Sequence, residues 1–201
     1  MTADLSGRVL ALVCRGSEED RAIAVALAEA GANLALGTIT KSQQEEFSTA
    51  SIANEVWAIG REQFNRVLEA ADPAAAASFA AEVVDTLGRC DGVVIAPGLP
   101  PAIPFDELSR DEWEPEATEH FTGPLFAAQA FWRVLDRAGG GTIVLVIEAA
   151  GHHDIAGSMF GEGQRALGAH LGILGADRGV RAVVVSREGA AQQVVSALSS
   201  R

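Results

Sequence analysis

The 201-residue chain contains no tyrosine, so chemistry that needs a phenolic proton donor is closed to it. Basic residues are scarce: 15 Lys and Arg stand against 27 Asp and Glu, for a formal charge of −12 and a pI near 4.7. Such a surface repels nucleic acid and anionic lipid and leaves small molecules and proteins as partners. Two cysteines, Cys14 and Cys90, are too few for a disulfide scaffold and read as buried thiols of a reducing compartment. No apolar run reaches membrane-spanning length, and the first residues lack the basic-then-apolar order of a secretion signal. The expected location is therefore cytoplasmic. With 48% hydrophobic residues the chain suits one globular domain over residues 1–201.

What is present is organised around residues 8–32. An apolar run over 9–13 meets a turn with one glycine and then opens into a helix carrying Ile23, Leu27 and Ala30 on one stripe. Gly31 ends that helix and a second buried strand begins at 33, so the segment reads as a βαβ unit of a parallel sheet. In such a unit the first turn can hold a dinucleotide pyrophosphate on backbone N–H groups. Here the turn is Cys14, Arg15, Gly16, Ser17, Glu18, Glu19 and Asp20. Phosphate needs close glycine backbone and a positive field, and this turn offers one glycine and three acids. Nucleotide binding is disfavoured and no cofactor is expected. The same acids also serve as ordinary first-turn residues that complement the helix dipole.

Downstream, periodicity predicts a helix over 42–59 with Phe47, Ile52 and Val56 inward, a third strand over 64–70, and a helix over 74–87 capped by Asp72 and Pro73. At the end of the second strand Thr38 and Ile39 stand where an enzyme preferring NAD places a ribose-binding acid. A fourth strand over 93–96 leads into a proline-rich loop over 97–104. Ser109 and Glu112 make a capping box for a long helix to about residue 135, with Pro115 in its first turn and a kink at Pro124. The clearest strand spans 142–147 and reads as central; a helix over 158–176, a sixth strand over 180–185 and a last helix over 190–198 follow. Strands alternating with helices predict an α/β fold: a Rossmann-like, doubly wound parallel sheet of about six strands with helices on both faces, a three-layer α/β/α arrangement.

Four stretches share one order and spacing: D-G-V-V-I-A-P-G at 91–98, F-D-E-L-S-R-D-E-W-E, H-F-T-G-P-L-F-A-A-Q-A and G-G-G-T-I-V. They resemble the short-chain dehydrogenase/reductase family over nearly the whole chain, the first matching its D-x-x-V-N-N-A-G. The resemblance implies that family's fold, but it fails where the chemistry sits. The family's first turn, T-G-x-x-x-G-x-G, matches residues 14–20 in shortened form, with acids replacing the later glycines. The Asn-Asn pair becomes Ile95 and Ala96, and the family's catalytic Asn, Ser, Tyr and Lys fall on His120, Glu148, Phe160 and Gln164. In Tyr-x-x-x-Lys the two side chains share a helix face, so the ammonium lowers the phenol's pKa. Phe160 has no proton to give and Gln164 has no charge. Glu69 matches the family's adenine-contacting Asp. After the sixth strand S-R-E-G-A-A-Q-Q passes directly into a helix, so the family's substrate lid and last strand are expected to be missing.

Two functions compete. The first is a non-catalytic subunit that pairs through the family's fourth and fifth helices, 111–135 and 158–176, with itself or with an active ketoreductase of the family. Phe121, Phe126, Phe131, Trp132 and Leu135 give the first of these helices apolar residues on more than one side, as two-sided burial requires; the alternative is that they are core against the sheet. The second is a cofactor-independent isomerase, dehydratase or cyclase in which Glu148, His120 and Glu162 converge at the carboxyl end of the fifth strand. Against it, Glu148 also reads as a solvated loop-edge acid and His120 as a helix residue with a local partner. His152, His153 and Asp154 are adjacent in a loop and do not aim at one ion, so no metal site is expected. His170 is expected to face solvent or an interface.

Overall fold

The protein, a computed structural model, is described over residues 4–147 and 155–200. Six strands alternate with helices: β1 (Val9–Cys14), α1 (Glu18–Glu29), β2 (Asn33–Thr38), α2 (Gln43–Ala58), β3 (Gln63–Arg66), α3 (Pro73–Leu87) and β4 (Gly92–Ala96). Then come α4 (Arg110–Ala117), a π turn (Thr118–Thr122), α5 (Gly123–Arg137), β5 (Gly141–Ile147), α6 (Ile155–Gly175), β6 (Val180–Ser186) and α7 (Ala190–Ser199). The strands form one parallel sheet in the order β3-β2-β1-β4-β5-β6. The order reverses between β1 and β4, so the crevice of this fold opens above their carboxyl ends. β5 lies between β4 and β6, inside the sheet.

The strands are apolar on both faces because helices cover both. Val9, Ala11 and Val13 face a core completed by Phe79 and Val83 of α3 and Phe131 and Leu135 of α5. Leu10, Leu12 and Cys14, of opposite parity, face Ile23 and Leu27 of α1, Ile52 and Val56 of α2, and Val194 and Leu198 of α7. The Asp91 carboxylate, accepting the Val9 N–H at 2.8 Å, pins the start of β4 against β1.

Several expectations are corrected. Phe47 is 67% exposed; the inward stripe of α2 runs through Glu45, Thr49, Ile52, Ala53 and Val56. β3 is four residues long, and the buried Leu68 and Ala70 lie beyond it. The Ser109–Glu112 capping box forms, but Pro115 sits in the second turn of α4, where its missing N–H leaves only the exposed Asp111 carbonyl without a helical donor. The predicted kink at Pro124 is the π turn just ahead of it, with Pro124 in the first turn of α5.

Candidate functional site

At the first turn Gly16 takes φ +79°, and a Cβ there would stand 2.4 Å from the Ser48 Cβ, so α2 packs straight onto the backbone. Ser17 caps α1: its hydroxyl accepts from the Asp20 N–H at 3.2 Å, and the Asp20 carboxylate accepts from the Ser17 N–H at 2.9 Å. The Glu19 carboxyl is held below the usual range by its own backbone N–H, then by the Ser17 hydroxyl and Arg187. Arg187, just past β6, donates to Ser17 Oγ at 3.0 Å and to Glu19 at 3.2 Å. The chain's own carboxylates thus take up donors that a pyrophosphate would use, and the residues present do not fit a dinucleotide there. Glu18 is exposed and pairs with Arg21 at 3.4 Å. Asp20 is buried with Oδ1 lacking a hydrogen-bond partner, and burial pushes its carboxyl up. Burial, then the Asp20 charge, pushes the Cys14 thiol far up, so it is no nucleophile.

Arg15 follows β1 and lies over Gly98, at φ +84°, where a Cβ would stand 3.0 Å from the Arg15 Cδ. Its guanidinium pairs with Glu45 at 3.1 Å and Glu119 at 2.6 Å. Glu45 is buried and accepts from the N–H groups of Ile39 (3.0 Å) and Thr40 (2.8 Å) and from the Thr40 hydroxyl (3.0 Å). An acid therefore does stand at the end of β2, supplied by α2 and engaged by the protein itself.

The π turn shapes the second half of the site. The Gly123 N–H bonds the Thr118 carbonyl, five residues back, and Pro124 has no N–H for the His120 carbonyl, four residues back. The buried Gln164 side chain supplies that donor instead, Nε2 to carbonyl at 2.7 Å. The His120 ring is 1% exposed and stacks on Phe160, centroids 6.0 Å apart and planes at 21°. Phe160 in turn lies 5.0 Å from Trp113. His120 Nε2 stands 3.2 Å from Glu116 Oε2 without hydrogen-bond geometry between them, and the Gly98 backbone also lies beside the ring. Burial, then the nearby Arg15 charge, pushes the imidazole down to about 4, so it is neutral at physiological pH. Burial raises the carboxyls of Glu116, where the Glu119 charge adds to it, and of Glu119, where Arg15 opposes it.

Of the three groups expected to converge, only His120 and Glu162 fall among the described residues, and those two lie apart. Glu162 points to solvent and pairs with Arg165 at 3.2 Å, apart from the buried His120. Glu148, His152, His153 and Asp154 lie outside the described residues. His170 is exposed, as expected. A cavity of about 20 Å³ borders His120, Phe160, Gln164 and Gly98, room for one water.

The family model for short chain dehydrogenase matches residues 20–160. The chain belongs to the short chain dehydrogenase family. An uncharacterized oxidoreductase of Thermotoga maritima is 25% identical over 148 residues, covering 74% of this chain and 56% of that protein. An L-rhamnose 1-dehydrogenase (NAD(P)(+)) of Sphingomonas sp. is 28% identical over 143 residues, covering 71% and 55%. The chain thus spans little more than half the length of the curated relatives it matches. Carveol dehydrogenase from Mycobacterium avium, solved in complex with NAD, superposes with a TM-score of 0.84 at 20% identity over 92% of this chain and 72% of that one. A short-chain type dehydrogenase/reductase from Mycobacterium marinum does so with 0.83 at 20% identity, covering 92% and 76%. These likenesses show the fold.

Within this dehydrogenase fold, sequence reasoning missed Arg187, Glu45, Glu116, Glu119 and Trp113. Glu45 carried a signal: Ser42 followed three residues on by an acid is a capping pattern, and Ser42 Oγ does accept the Glu45 N–H. The Glu116, Glu119 and His120 spacing of three and four places them on one helix face. Arg187 had no local signal, because its partners lie 168 and 170 residues away.

Proposed function

We propose that this chain is a non-catalytic member of its family, a subunit that pairs through the outer faces of α5 and α6 with itself or with a catalytically intact relative. The observation that carries the reading is Gln164. At the position of the family's cation it holds the His120 carbonyl with a neutral amide, beside a phenyl ring at the position of the acid. Hydride transfer to a carbonyl needs a proton donor there, and neither side chain supplies one. The self-satisfied first turn supports the same reading. Phe131 and Leu135 belong to the core, while Phe121 of the π turn, Leu125 of α5 and Ile173 and Leu174 of α6 are exposed and apolar, which favours pairing. Two free, buried thiols and the absence of any described helix long and apolar enough to cross a membrane fit a cytoplasmic subunit. Titration of NADH and NADPH into the pure protein tests the reading; no saturable binding is expected at millimolar concentration, and saturable binding with carbonyl reduction overturns it.

A second reading, a redox-free isomerase, dehydratase or cyclase using His120 and Glu148, is favoured by the neutral, buried imidazole of His120. Equal turnover of Glu148→Gln, His120→Ala and the parent in such a reaction ends it.

A further inference from the structure

The geometry points to a divalent-cation site at the π turn, formed by the carboxylates of Glu116 and Glu119 and by His120 Nε2, which the subunit role neither requires nor explains. One ligand atom from each residue lies within 4.8 Å of the other two. The 3.2 Å between His120 Nε2 and Glu116 Oε2 matches two bonds of about 2.1 Å to a single ion, which span about 3.0–3.4 Å between octahedral and tetrahedral angles.

An independent observation is the state of the side chains themselves. His120 is 1% exposed, with the Gly98 backbone beside its ring but neither ring nitrogen in good hydrogen-bond geometry, and Glu116 Oε2, 3.2 Å from Nε2, is buried and likewise without such a bond. Buried polar atoms in native proteins are satisfied. The two atoms are close but not aligned for a hydrogen bond, whereas a cation between them takes a lone pair from each and needs no proton in line.

Charge points the same way. Four carboxylates, those of Glu45, Glu69, Glu116 and Glu119, gather here against two guanidiniums, those of Arg15 and Arg187. Glu119 meets Arg15 through Oε2, and a carboxylate can bridge a guanidinium and a metal through its two oxygens. One imidazole with two carboxylates selects a borderline ion such as Zn²⁺ or Co²⁺ over Ca²⁺ or Mg²⁺, which prefer oxygen alone. Three protein ligands leave a position for water, the pattern of an open zinc site rather than a closed structural one.

The full chain, stripped of metal with a chelator, is titrated with Co²⁺ by visible absorption and with Zn²⁺ by calorimetry. The expected result is one ion per chain, with binding weakened at least about tenfold in each of Glu116→Gln, Glu119→Gln and His120→Asn. The double variant His152→Ala/His153→Ala should bind as the parent does. Absence of saturable binding below about 1 mM, binding that survives Glu116→Gln and His120→Asn, or binding lost with the loop histidines overturns the site. Should His120→Asn fail to fold, the nearly isosteric Glu116→Gln decides. None of these outcomes depends on nicotinamide binding, so this site and the subunit role fail separately.

Discussion

Gln164 donates its side-chain amide to the backbone carbonyl of His120 at 2.7 Å, 44 residues away in sequence, with both groups buried. The carbonyl lacks a helical donor because Pro124, four residues on, has no N–H. Gln164→Ala therefore strands a buried acceptor and should cost about 1–3 kcal/mol in urea unfolding. In a Pro124→Ala background the restored N–H can take the carbonyl, so the same substitution should cost less. Equal costs in both backgrounds would show that the carbonyl is not what Gln164 serves.

Restoring the family's acid and cation should not restore its chemistry. Phe160→Tyr with Gln164→Lys returns a phenol and an ammonium four residues apart, but the first turn still holds the Glu19 and Asp20 carboxylates against its own donors. No consumption of NADH or NADPH is expected with carbonyl substrates, followed by nicotinamide absorbance. Turnover in the double variant would mean that the turn accepts a cofactor after all.

Much of this was legible along the chain. The apolar runs that became β1, β4 and β5, the Ser109–Glu112 capping box and the break at Pro124 are local signals, set by side-chain period and by a missing N–H. Phe47 misleads because an aromatic on a weakly amphipathic helix reads as inward, while the buried positions of α2 include Glu45 and Thr49, polar residues satisfied by neighbours. The site was half legible. The loss of phenol and ammonium at 160 and 164 shows in the text alone, but the new roles of Gln164, Arg187 and Glu45 depend on tertiary contacts that no window of sequence contains.

Exposed apolar residues on α5 and α6 carry the pairing reading. Leu125 is 38% exposed and Ile173 74% exposed, so Leu125→Glu with Ile173→Glu should leave the core intact and place charges in a buried interface, costing several kcal/mol of association. Sedimentation should show the parent as an oligomer and the double variant as a monomer of nearly equal melting temperature. A monomeric parent sinks the homo-oligomeric form of the proposal.

Gly16 is constrained twice, by φ +79° and by the Ser48 Cβ lying 2.4 Å from any Cβ placed there. Gly16→Ala should destabilise by roughly 2–4 kcal/mol, combining left-handed strain with overpacking against α2. Gly60, at φ +92° with nothing within 4 Å, has the strain without the clash, and Gly60→Ala should cost only about 1–2 kcal/mol. Calorimetric melting of the two variants separates the contributions, and equal losses would remove the clash from the account.

The buried Asp20 makes stability depend on pH in the direction opposite to a paired carboxylate. Its carboxyl is raised, with burial outweighing the help of Ser17, Arg187 and Gly16, so the folded state holds the proton more tightly than the unfolded one. Stability then falls as pH climbs from the unfolded value, about 3.9, through the folded one, and stays lowered above it. Asp20→Asn keeps an oxygen for the Ser17 N–H and never ionises. Its stability relative to the parent should therefore rise between pH values near 3.5 and near 7, measured by denaturant unfolding of both proteins at each. Subtracting the parent cancels every other titrating group common to the two, so a difference that falls with pH would mean that Ser17 and Arg187 stabilise the charged Asp20 more than burial penalises it.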